Sequence, residues 1–300
     1  MFVFHHITRT GGVTFKNILN RNFGNNYLKI QKNIFDDVLG YNRNHPNGGS
    51  DGLTKTLTNR ELYLILSKYD NIHCISSHHI PFPNSFDNFE VMVFLRNPLK
   101  RVLSSYFYLR DKYIKLNRLP SYAQIDFREN ISMFFNYSDD ISKNYSIKNY
   151  CTNYQTHVID NSLNYESALS RMKNEFWFVG VTERFDESLL ILRNEFKKIN
   201  HDFNIMYSKQ HVNITKAKTM RPFNDYNVSE KDIDHIIDNN QLDFKLYEEA
   251  NNILNSKIKN YDGDFSSDLA FFKRKLSLWK IYHNSVPNAI KNSISKFRIR

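Results

Sequence analysis

The sequence contains little cysteine and no long apolar run, and both absences narrow the class of protein. Its two cysteines, Cys74 and Cys151, do not form a CxxC motif, which is typical of a reduced cytoplasmic protein without a structural zinc site. No apolar run approaches the ~20 residues that cross a bilayer. The first residues also lack the basic region and cleavage site of a secretory signal. We therefore expect a cytoplasmic protein.

Acidic residues are scarce at one end of the chain, so the net charge of +10 is unevenly spread. Residues 265–300 contain eight Lys or Arg residues and one acidic residue, whereas residues 1–264 contain 33 basic and 30 acidic residues. Because the larger part is nearly balanced, its charge does not indicate a nucleic-acid partner. Hydrophobic residues make up 41% of the chain and aromatic residues 15%, which supplies a sizeable core and excludes global disorder.

Short apolar segments alternate with helical patterns along the chain. The segment at residues 90–95 is almost entirely apolar, which is typical of a strand buried on both faces of a parallel sheet. This alternation predicts an α/β fold with a central, mainly parallel sheet flanked by helices. The predicted strands cover residues 2–7, 72–76, 90–95 and 175–182, and the predicted helices begin near residues 14, 58, 98, 186, 229 and 243. We expect one main domain at residues 1–263 and a basic amphipathic helical extension at residues 264–300.

The first predicted strand leads into the turn Arg9-Thr10-Gly11-Gly12-Val13-Thr14, and a helical pattern follows. Two glycines let backbone amides approach an anion closely, hydroxyl groups and a cation flank them, and a helix N-terminus favours negative charge. An ordinary tight turn between a strand and a helix explains the glycines alone equally well. The turn is not a Walker A loop, because GxxxxGK[ST] is absent and the cation precedes the glycines.

A second candidate anion site follows the strand predicted at residues 90–95. Arg96 comes directly after this strand, at the carboxyl end where open α/β sheets bind ligands. Ser104 lies about two helical turns into the next helix, so that an arginine and a hydroxyl group could contact one phosphate. The alternative is an arginine that caps the sheet edge and a serine on the helix surface.

Two adjacent histidines follow the second predicted strand. His78 or His79 could act as a general base, which removes a proton from an attacking group, although a lone histidine is more often structural. His5 and His6 end the first predicted strand. We expect these two residues to orient the glycine turn.

Several segments resemble motifs of one enzyme family. HHITRTGGVTF resembles HIPKTGGTTF, the 5′-phosphosulfate loop of carbohydrate sulfotransferases, and FLRNPLKRVLSSYFY resembles their 3′-phosphate motif LRDPVERxLSxYxY. ISSHHIPF is similar to their SGHFPF segment. Three further segments follow in family order, and the whole set resembles the heparan sulfate 2-O- and 6-O-type enzymes. NYQTHVI resembles a segment of the 6-O-type enzymes, FVGVTERFDESLLIL is similar to a further block of the family, and LDFKLYEEA is similar to its closing helix. Within FVGVTERFDESLLIL we expect the apolar face to be core, and Glu183 and Arg184 to form a local ion pair.

The resemblance implies a P-loop-like three-layer fold and the use of 3′-phosphoadenosine 5′-phosphosulfate (PAPS) without a metal. It implies transfer of the sulfuryl group of PAPS to a hydroxyl group of an oligo- or polysaccharide acceptor. It also implies that His78 is the general base, with His79 as the adjacent alternative, and that Arg9 stabilises charge on the leaving phosphate, where the family has lysine. The implied cofactor-binding residues are Arg9, Thr10, Gly11, Gly12, Val13 and Thr14 at the 5′-phosphosulfate, and Arg96 and Ser104 at the 3′-phosphate.

Two other functions stay open at this point. A P-loop-type small-molecule kinase shares the fold class, although the GK[ST] sequence and an obvious magnesium carboxylate are missing. The second alternative is a degenerate protein that binds a nucleotide or a glycan without turnover. Its basis is the arginine at position 9, because arginine and lysine are not interchangeable at an anion site.

The C-terminal extension has two interpretations. Apolar residues recur at helical spacing among basic residues in residues 269–279, and such a helix can lie on an anionic membrane in peripheral contact. Alternatively, the helix packs on the body through Phe271, Phe272 and Trp279, or on a partner subunit in a homo-oligomer. We favour packing, since it covers the apolar residues.

Overall fold

A five-stranded parallel sheet forms the centre of the protein. The structure is a computed structural model and describes residues 1–39, 57–78, 89–115, 117, 131, 151–208 and 228–285. The strands are β1 (Phe2–His5), β2 (Tyr27–Lys29), β3 (Cys74–Ser77), β4 (Glu90–Leu95) and β5 (Phe178–Val181). Their order across the sheet is β2-β3-β1-β4-β5, and these strands all pair in parallel. The predicted α/β class is therefore confirmed.

Helices flank the sheet, and sequence signals set where several of them begin. The described helices are α1 (Gly12–Phe23), α2 (Lys32–Leu39), α3 (Asn59–Leu66), α4 (Pro98–Lys115), α5 (Tyr154–Ile159), α6 (Tyr165–Asn174), α7 (Phe185–Lys198), α8 (Glu230–Asp238), α9 (Gln241–Lys259) and α10 (Phe265–Ser285). Pro98 is the first residue of α4, a position that tolerates proline. Thr58 and Ser229 begin α3 and α8 with capping boxes. None of these described helices is long and apolar enough to cross a membrane.

Most of these elements coincide with those predicted from the sequence. The predicted strands correspond to β1, β3, β4 and β5, whereas β2 has no predicted counterpart. β2 contains only three residues, which are too few to establish an alternating pattern. Helices α2, α5 and α6, of eight, six and ten residues, were not predicted either.

The strand order places the carboxyl ends of β1, β3 and β4 side by side. β1 pairs with β3 as far as His5 and Ser77, and it pairs with β4 on its other side. β2 and β3 lie on one side of β1, and β4 and β5, which follow them in the sequence, lie on the other side. Open parallel sheets bind ligands at the carboxyl edge beside such a reversal. The edge formed by β1, β3 and β4 is therefore the expected place for a site.

Phenylalanine rings pack where β1, α1 and β4 meet. The ring centroid of Phe4 lies 4.7 Å from that of Phe15, which in turn lies 4.8 Å from that of Phe94. All three side chains are fully buried. Aromatic pairs of this kind add about 0.5–1.5 kcal/mol each to the effect of area burial. This packing supports the turn that joins β1 to α1.

Helix α10 packs on the body along one face. Phe272 and Leu276 are 2% and 3% exposed and belong to the main core. The ring of Trp279 packs against this core and contacts the guanidinium group of Arg21, 5.5 Å from the ring centroid. Phe271 is 64% exposed, so the prediction that it packs on the body is wrong: successive helical side chains project about 100° apart, and burial of Phe272 turns Phe271 outward. The domain boundary at residue 263 stays a prediction.

Candidate active site

Three strand ends bring the candidate residues to one edge of the sheet. β1 leads into the glycine turn, β3 leads to His78, and β4 leads to Arg96. Nη1 of Arg96 donates a hydrogen bond of 2.9 Å to the carbonyl oxygen of Arg9. Nδ1 of His78 lies 2.6 Å from the carbonyl oxygen of His6. Residues far apart in the sequence therefore meet at the site that the strand order indicates.

The glycine turn is held closely by hydrogen bonds. Arg9 and Gly11 have positive φ angles of 67° and 82°, and this conformation is uncommon and costly for a residue other than glycine. The hydroxyl group of Thr10 donates to the carbonyl oxygen of Ile7 at 2.9 Å. The hydroxyl group of Thr182, after β5, donates to the carbonyl oxygen of Thr10 at 2.9 Å. These contacts hold the strained backbone of Arg9 in place.

The first turn of α1 suits an anion. Its N-cap is Gly11, and no side chain caps this helix by a hydrogen bond. The first amides of an α-helix have no partner within the helix, and the helix dipole adds positive potential there. Gly12, Val13 and Thr14 form this first turn. Phosphate and sulfate groups bind at helix starts of this kind.

Gly12 is required because His6 packs against it. A Cβ atom at Gly12 would lie 1.8 Å from Nε2 of His6, so a larger residue would displace the imidazole ring. Burial, and after it the electrostatic interactions with His78 and Lys16, lower the pKa of His6 well below its usual 6.5. His6 is therefore neutral at physiological pH. His6 therefore contacts the glycine turn through its ring and His78 through its backbone carbonyl.

His78 is held in one tautomer. Its Nδ1 faces the carbonyl oxygen of His6, and because a carbonyl only accepts, Nδ1 carries a proton, so that in the neutral ring the lone pair is at Nε2. The rings of His6 and His78 lie 4.0 Å apart between centroids, and His78 is exposed. Nε2 can thus take a proton from a group that arrives from solvent. The other predicted candidate, His79, lies outside the described residues.

The side chain of Arg9 extends from the glycine turn to α4. Its Nε and Nη2 donate to Oγ of Ser104 at 3.0 Å and 2.8 Å, and its guanidinium group lies 4.9 Å from the ring centroid of Tyr108. Burial and the charge of Arg96 lower the pKa of Arg9 to about 10, so Arg9 remains charged at neutral pH. The residues predicted for the two ends of the nucleotide are therefore in direct contact.

Arg96, whose Nη1 contacts the glycine turn, also has a buried donor atom at Nε. Among the residues that the structure describes, its Nε has no hydrogen-bond partner, and its 3.8 Å separation from Oε1 of Glu183 is too long for a hydrogen bond. Glu183 also accepts a hydrogen bond from the amide of Asn97 at 3.1 Å. The predicted local pair of Glu183 with Arg184 is wrong, because Arg184 instead pairs with Glu187. These adjacent residues lie in a 3₁₀ turn that sends their side chains in different directions.

The strands and the glycine turn fall within a stretch that matches a known protein family. The model of this family, which is described as "Sulfotransferase family", matches residues 1–248. The chain belongs to the sulfotransferase family. This membership confirms the resemblance at the level of the sulfotransferase family and implies that the parallel sheet is the core of a P-loop-like fold. No curated protein matches the chain.

Sequence reasoning missed the residue that holds Arg96 of this sulfotransferase in position. Oε1 of Gln155 accepts a hydrogen bond of 2.8 Å from the amide of Arg96, and Nε2 of Gln155 donates one of 2.8 Å to the carbonyl oxygen of Arg96. The Gln155 side chain is fully buried. Its segment NYQTHVI resembles a family block, and this is the only signal in the sequence. Similarity in sequence alone does not reveal that Gln155 binds the backbone at a strand end.

Asp243 in turn holds the helix that carries Gln155. Its carboxylate accepts hydrogen bonds from the amide of Gln155 at 3.0 Å, the amide of Thr156 at 2.7 Å and the hydroxyl group of Thr156 at 2.8 Å. Asp243 is fully buried, and hydrogen bonds to a carboxylate are stronger than those between neutral groups. A chain of contacts therefore runs from α9 through α5 to the candidate active site of the sulfotransferase.

Positive charge predominates around the glycine turn of the sulfotransferase. Arg9 and Arg96 are in contact there, and Lys16 lies on α1, where burial followed by the charge of Lys29 lowers its pKa. Such an arrangement suits a ligand with several negative charges. In the described part of the chain, no group of three His, Cys, Asp or Glu residues could hold a metal ion.

Proposed function

We propose that this sulfotransferase moves a sulfuryl group from PAPS to a hydroxyl group of an oligo- or polysaccharide. One juxtaposition supports the proposal above all. At one sheet edge, the glycine turn before a helix start without a side-chain cap contacts the guanidinium group of Arg96, the guanidinium group of Arg9 extends to Ser104, and Nδ1 of His78 contacts the carbonyl oxygen of His6. PAPS supplies an activated sulfuryl group attached to a phosphate leaving group.

The glycine turn and α4 bind the donor. The first-turn amides of α1 and the side chain of Arg9 hold the 5′-phosphosulfate, and Arg9 stabilises the negative charge on the leaving phosphate. Arg96 and Ser104 hold the 3′-phosphate. Because Oγ of Ser104 accepts both hydrogen bonds from Arg9, its own hydrogen is available for a phosphate oxygen. The buried Nε of Arg96 supplies a further donor.

His78 acts on the acceptor. Its Nε2 removes the proton from the attacking hydroxyl group while the oxygen of that group forms its bond to sulfur. The bond between sulfur and the 5′-phosphate oxygen breaks at the same time, and its electron pair stays on the leaving phosphate. The carbonyl oxygen of His6 accepts a hydrogen bond from Nδ1 of His78. This bond stabilises the imidazolium that forms, since hydrogen bonds strengthen when the donor is charged. His6 itself is neutral, so it adds no competing positive charge. The exposure of His78 suits an acceptor as large as a glycan chain.

The family match favours sulfuryl transfer over the phosphoryl transfer of a kinase. The carbohydrate acceptor is supported by the resemblance of the quoted segments to carbohydrate sulfotransferases. A protein that binds the nucleotide without turnover would share the donor site, so the two alternatives need separate measurements of binding and of chemistry.

A thermal-shift titration with 3′-phosphoadenosine 5′-phosphate, the desulfated product, tests the donor site. At 100 times its Kd, the nucleotide should stabilise the wild type by about 2.7 kcal/mol. Arg96→Ala should be stabilised much less, because it loses the guanidinium group that contacts the site. Arg60→Ala, at an exposed arginine of α3, is the control and should respond like the wild type. A wild type without a shift, or with a larger shift from ATP, would contradict the proposal.

The variant His78→Ala separates chemistry from binding. Loss of a general base lowers turnover by about 10²–10⁴-fold, whereas the response to the desulfated nucleotide should stay at the wild-type level. Turnover is measured as nucleotide product formed from PAPS with a panel of oligosaccharides, and His73→Ala, at an exposed histidine before β3, is the control. Normal turnover in His78→Ala rules out this base. Nucleotide binding without turnover on any acceptor would support the binding-protein alternative.

A further inference from the structure

Helix α10 is apolar on two opposite faces. Its inner face packs on the body through Phe272 and Leu276, which are 2% and 3% exposed. On the opposite side, Phe271, Leu278 and Ile281 are 64%, 61% and 60% exposed. We call the side formed by residues 271, 274, 278 and 281 the outer face of α10, because their spacing of i, i+3, i+7 and i+10 places them along one stripe of a helix.

The outer face gathers the most exposed large apolar side chains of the described residues. Single exposed apolar residues are normal on a protein surface and need no explanation. The next most exposed large apolar side chain in the described part, Tyr63 on α3, is 53% exposed. Three such residues along one helix form a contiguous patch, and patches of this kind mark interaction sites.

Basic residues lie in and beside this apolar stripe. Lys273, Arg274 and Lys275 are all exposed, and no ion pair of theirs with another described residue is found. The acidic residue of α10, Asp268, accepts a hydrogen bond from Tyr261 at 2.7 Å, within the body. Lys280 is also directed to the inner side, where its Nζ lies 4.9 Å from the ring centroid of Tyr207. With respect to the described residues, the positive charge along the outer face is therefore uncompensated.

This charge argues against two occupants of the outer face. Two copies of the chain that met symmetrically through it would bring Lys273, Arg274 and Lys275 of both copies together, and like charges at an interface are unfavourable. Residues 286–300 contain four Lys or Arg residues and no acidic residue, so they would be repelled for the same reason. The face requires an occupant that is apolar inside and negatively charged outside.

We propose that the outer face of α10 binds the surface of anionic lipid membranes. The side chains of Phe271, Leu278 and Ile281 enter the boundary between head groups and acyl chains, and the neighbouring basic residues contact lipid phosphates. The inner face stays packed on the body, so this contact needs no rearrangement of the fold. Both interpretations of the C-terminal extension thus apply, each to a different face of α10. The inner face packs on the body, as we favoured from the sequence, and the outer face contacts the membrane.

Vesicle co-sedimentation of the full chain tests this surface. Vesicles of phosphatidylcholine alone are compared with vesicles that also contain phosphatidylglycerol. Two variants remove the two kinds of contact separately: Phe271→Ser/Leu278→Ser/Ile281→Ser and Lys273→Gln/Arg274→Gln/Lys275→Gln. The matched control, Tyr63→Ser/Leu64→Ser, removes exposed apolar side chains from α3. Thermal unfolding of each variant shows that the fold is retained.

The wild type and the control should sediment with the phosphatidylglycerol vesicles and not with phosphatidylcholine alone. Each triple variant should lower the bound fraction by about tenfold or more, and salt should weaken wild-type binding because it screens charge. A wild type that stays in the supernatant with both vesicles overturns the proposal, as do triple variants that bind like the wild type. A wild-type dimer by light scattering that the apolar triple variant converts to a monomer would also overturn it, in favour of a second copy on this face.

Discussion

The ring of His6 contacts both the glycine turn and the ring of His78. The His6 ring packs on Gly12, where a Cβ atom would lie 1.8 Å from Nε2, and the carbonyl oxygen of His6 lies 2.6 Å from Nδ1 of His78. One residue therefore contacts Gly12 with its ring and His78 with both its ring and its backbone carbonyl. A displacement of the His6 ring would therefore affect both the donor loop and the orientation of the base.

Gly12→Ala should destabilise the protein because its methyl group overlaps the ring of His6. Overpacking of this kind costs about 1–3 kcal/mol in the free energy of unfolding, measured by urea denaturation. In a His6→Ala background the ring is absent, so the same substitution should cost much less. Equal costs in the two backgrounds would show that the two residues are not coupled.

The lowered pKa of His6 predicts a loss of stability in mild acid. Below its ordinary pKa of 6.5, His6 binds a proton in the unfolded chain but stays neutral in the folded protein. The unfolded state therefore gains protons as the pH falls, and the free energy of unfolding decreases by up to about 1.4 kcal/mol per pH unit from this residue. Urea denaturation from about pH 7 to about pH 5 should show a smaller decrease for His6→Gln than for the wild type. His73→Gln, at an exposed histidine, should keep the wild-type decrease.

The strand positions and the family resemblance together pointed to Arg9, Arg96 and His78, which follow strand ends at one edge of the sheet. Ser104 was expected beside Arg96, but its hydroxyl group accepts hydrogen bonds from Arg9, and the roles of all four residues stay predictions. The contact of Gln155 with Arg96 could not be predicted, because it joins a side chain to backbone atoms of a strand end 59 residues away. The same holds for Glu183, whose partner depends on how a 3₁₀ turn is oriented.

At the scale of helices and strands, α5 connects the site to the closing helices. This helix is only six residues long, and helices this short are not stable by themselves. Its start is held by the carboxylate of Asp243 on α9, and its Gln155 holds the backbone of Arg96. The position of Arg96 therefore depends on a residue far from the glycine turn.

Asp243→Asn should weaken nucleotide binding although Asp243 does not contact the glycine turn. Asn supplies one acceptor oxygen and no charge in place of a carboxylate, which costs about 1–3 kcal/mol in the free energy of unfolding. The loosened α5 should also raise the Kd of the desulfated nucleotide, measured by calorimetry. Ser229→Ala removes the cap of α8 and costs about 1 kcal/mol, so it serves as a control for stability alone. An unchanged Kd in Asp243→Asn would show that the contact chain does not position Arg96.

For the whole molecule, the packing of α10 decides whether it belongs to the same cooperative unit as the sheet. Phe271 and Phe272 are adjacent and chemically identical, but they are 64% and 2% exposed. Phe272→Ala should lower the free energy of unfolding by about 3–5 kcal/mol, whereas Phe271→Ala should change it by less than about 0.5 kcal/mol. Urea denaturation followed by fluorescence measures both. Equal small effects would show that α10 unfolds separately from the body.

The strand order also has a consequence for protein synthesis. β1 is translated first, yet its two neighbours in the sheet, β3 and β4, begin only at Cys74 and Glu90. Ribosomes add roughly 5–20 residues per second, so β1 leaves the ribosome several seconds before its second neighbour has been made. During that interval Val3 and Phe4, which are fully buried in the finished protein, are exposed to chaperones and to aggregation. Because Thr182 also donates a hydrogen bond to the carbonyl oxygen of Thr10, the glycine turn that follows β1 can take up its final shape only after about three-fifths of the chain has been translated.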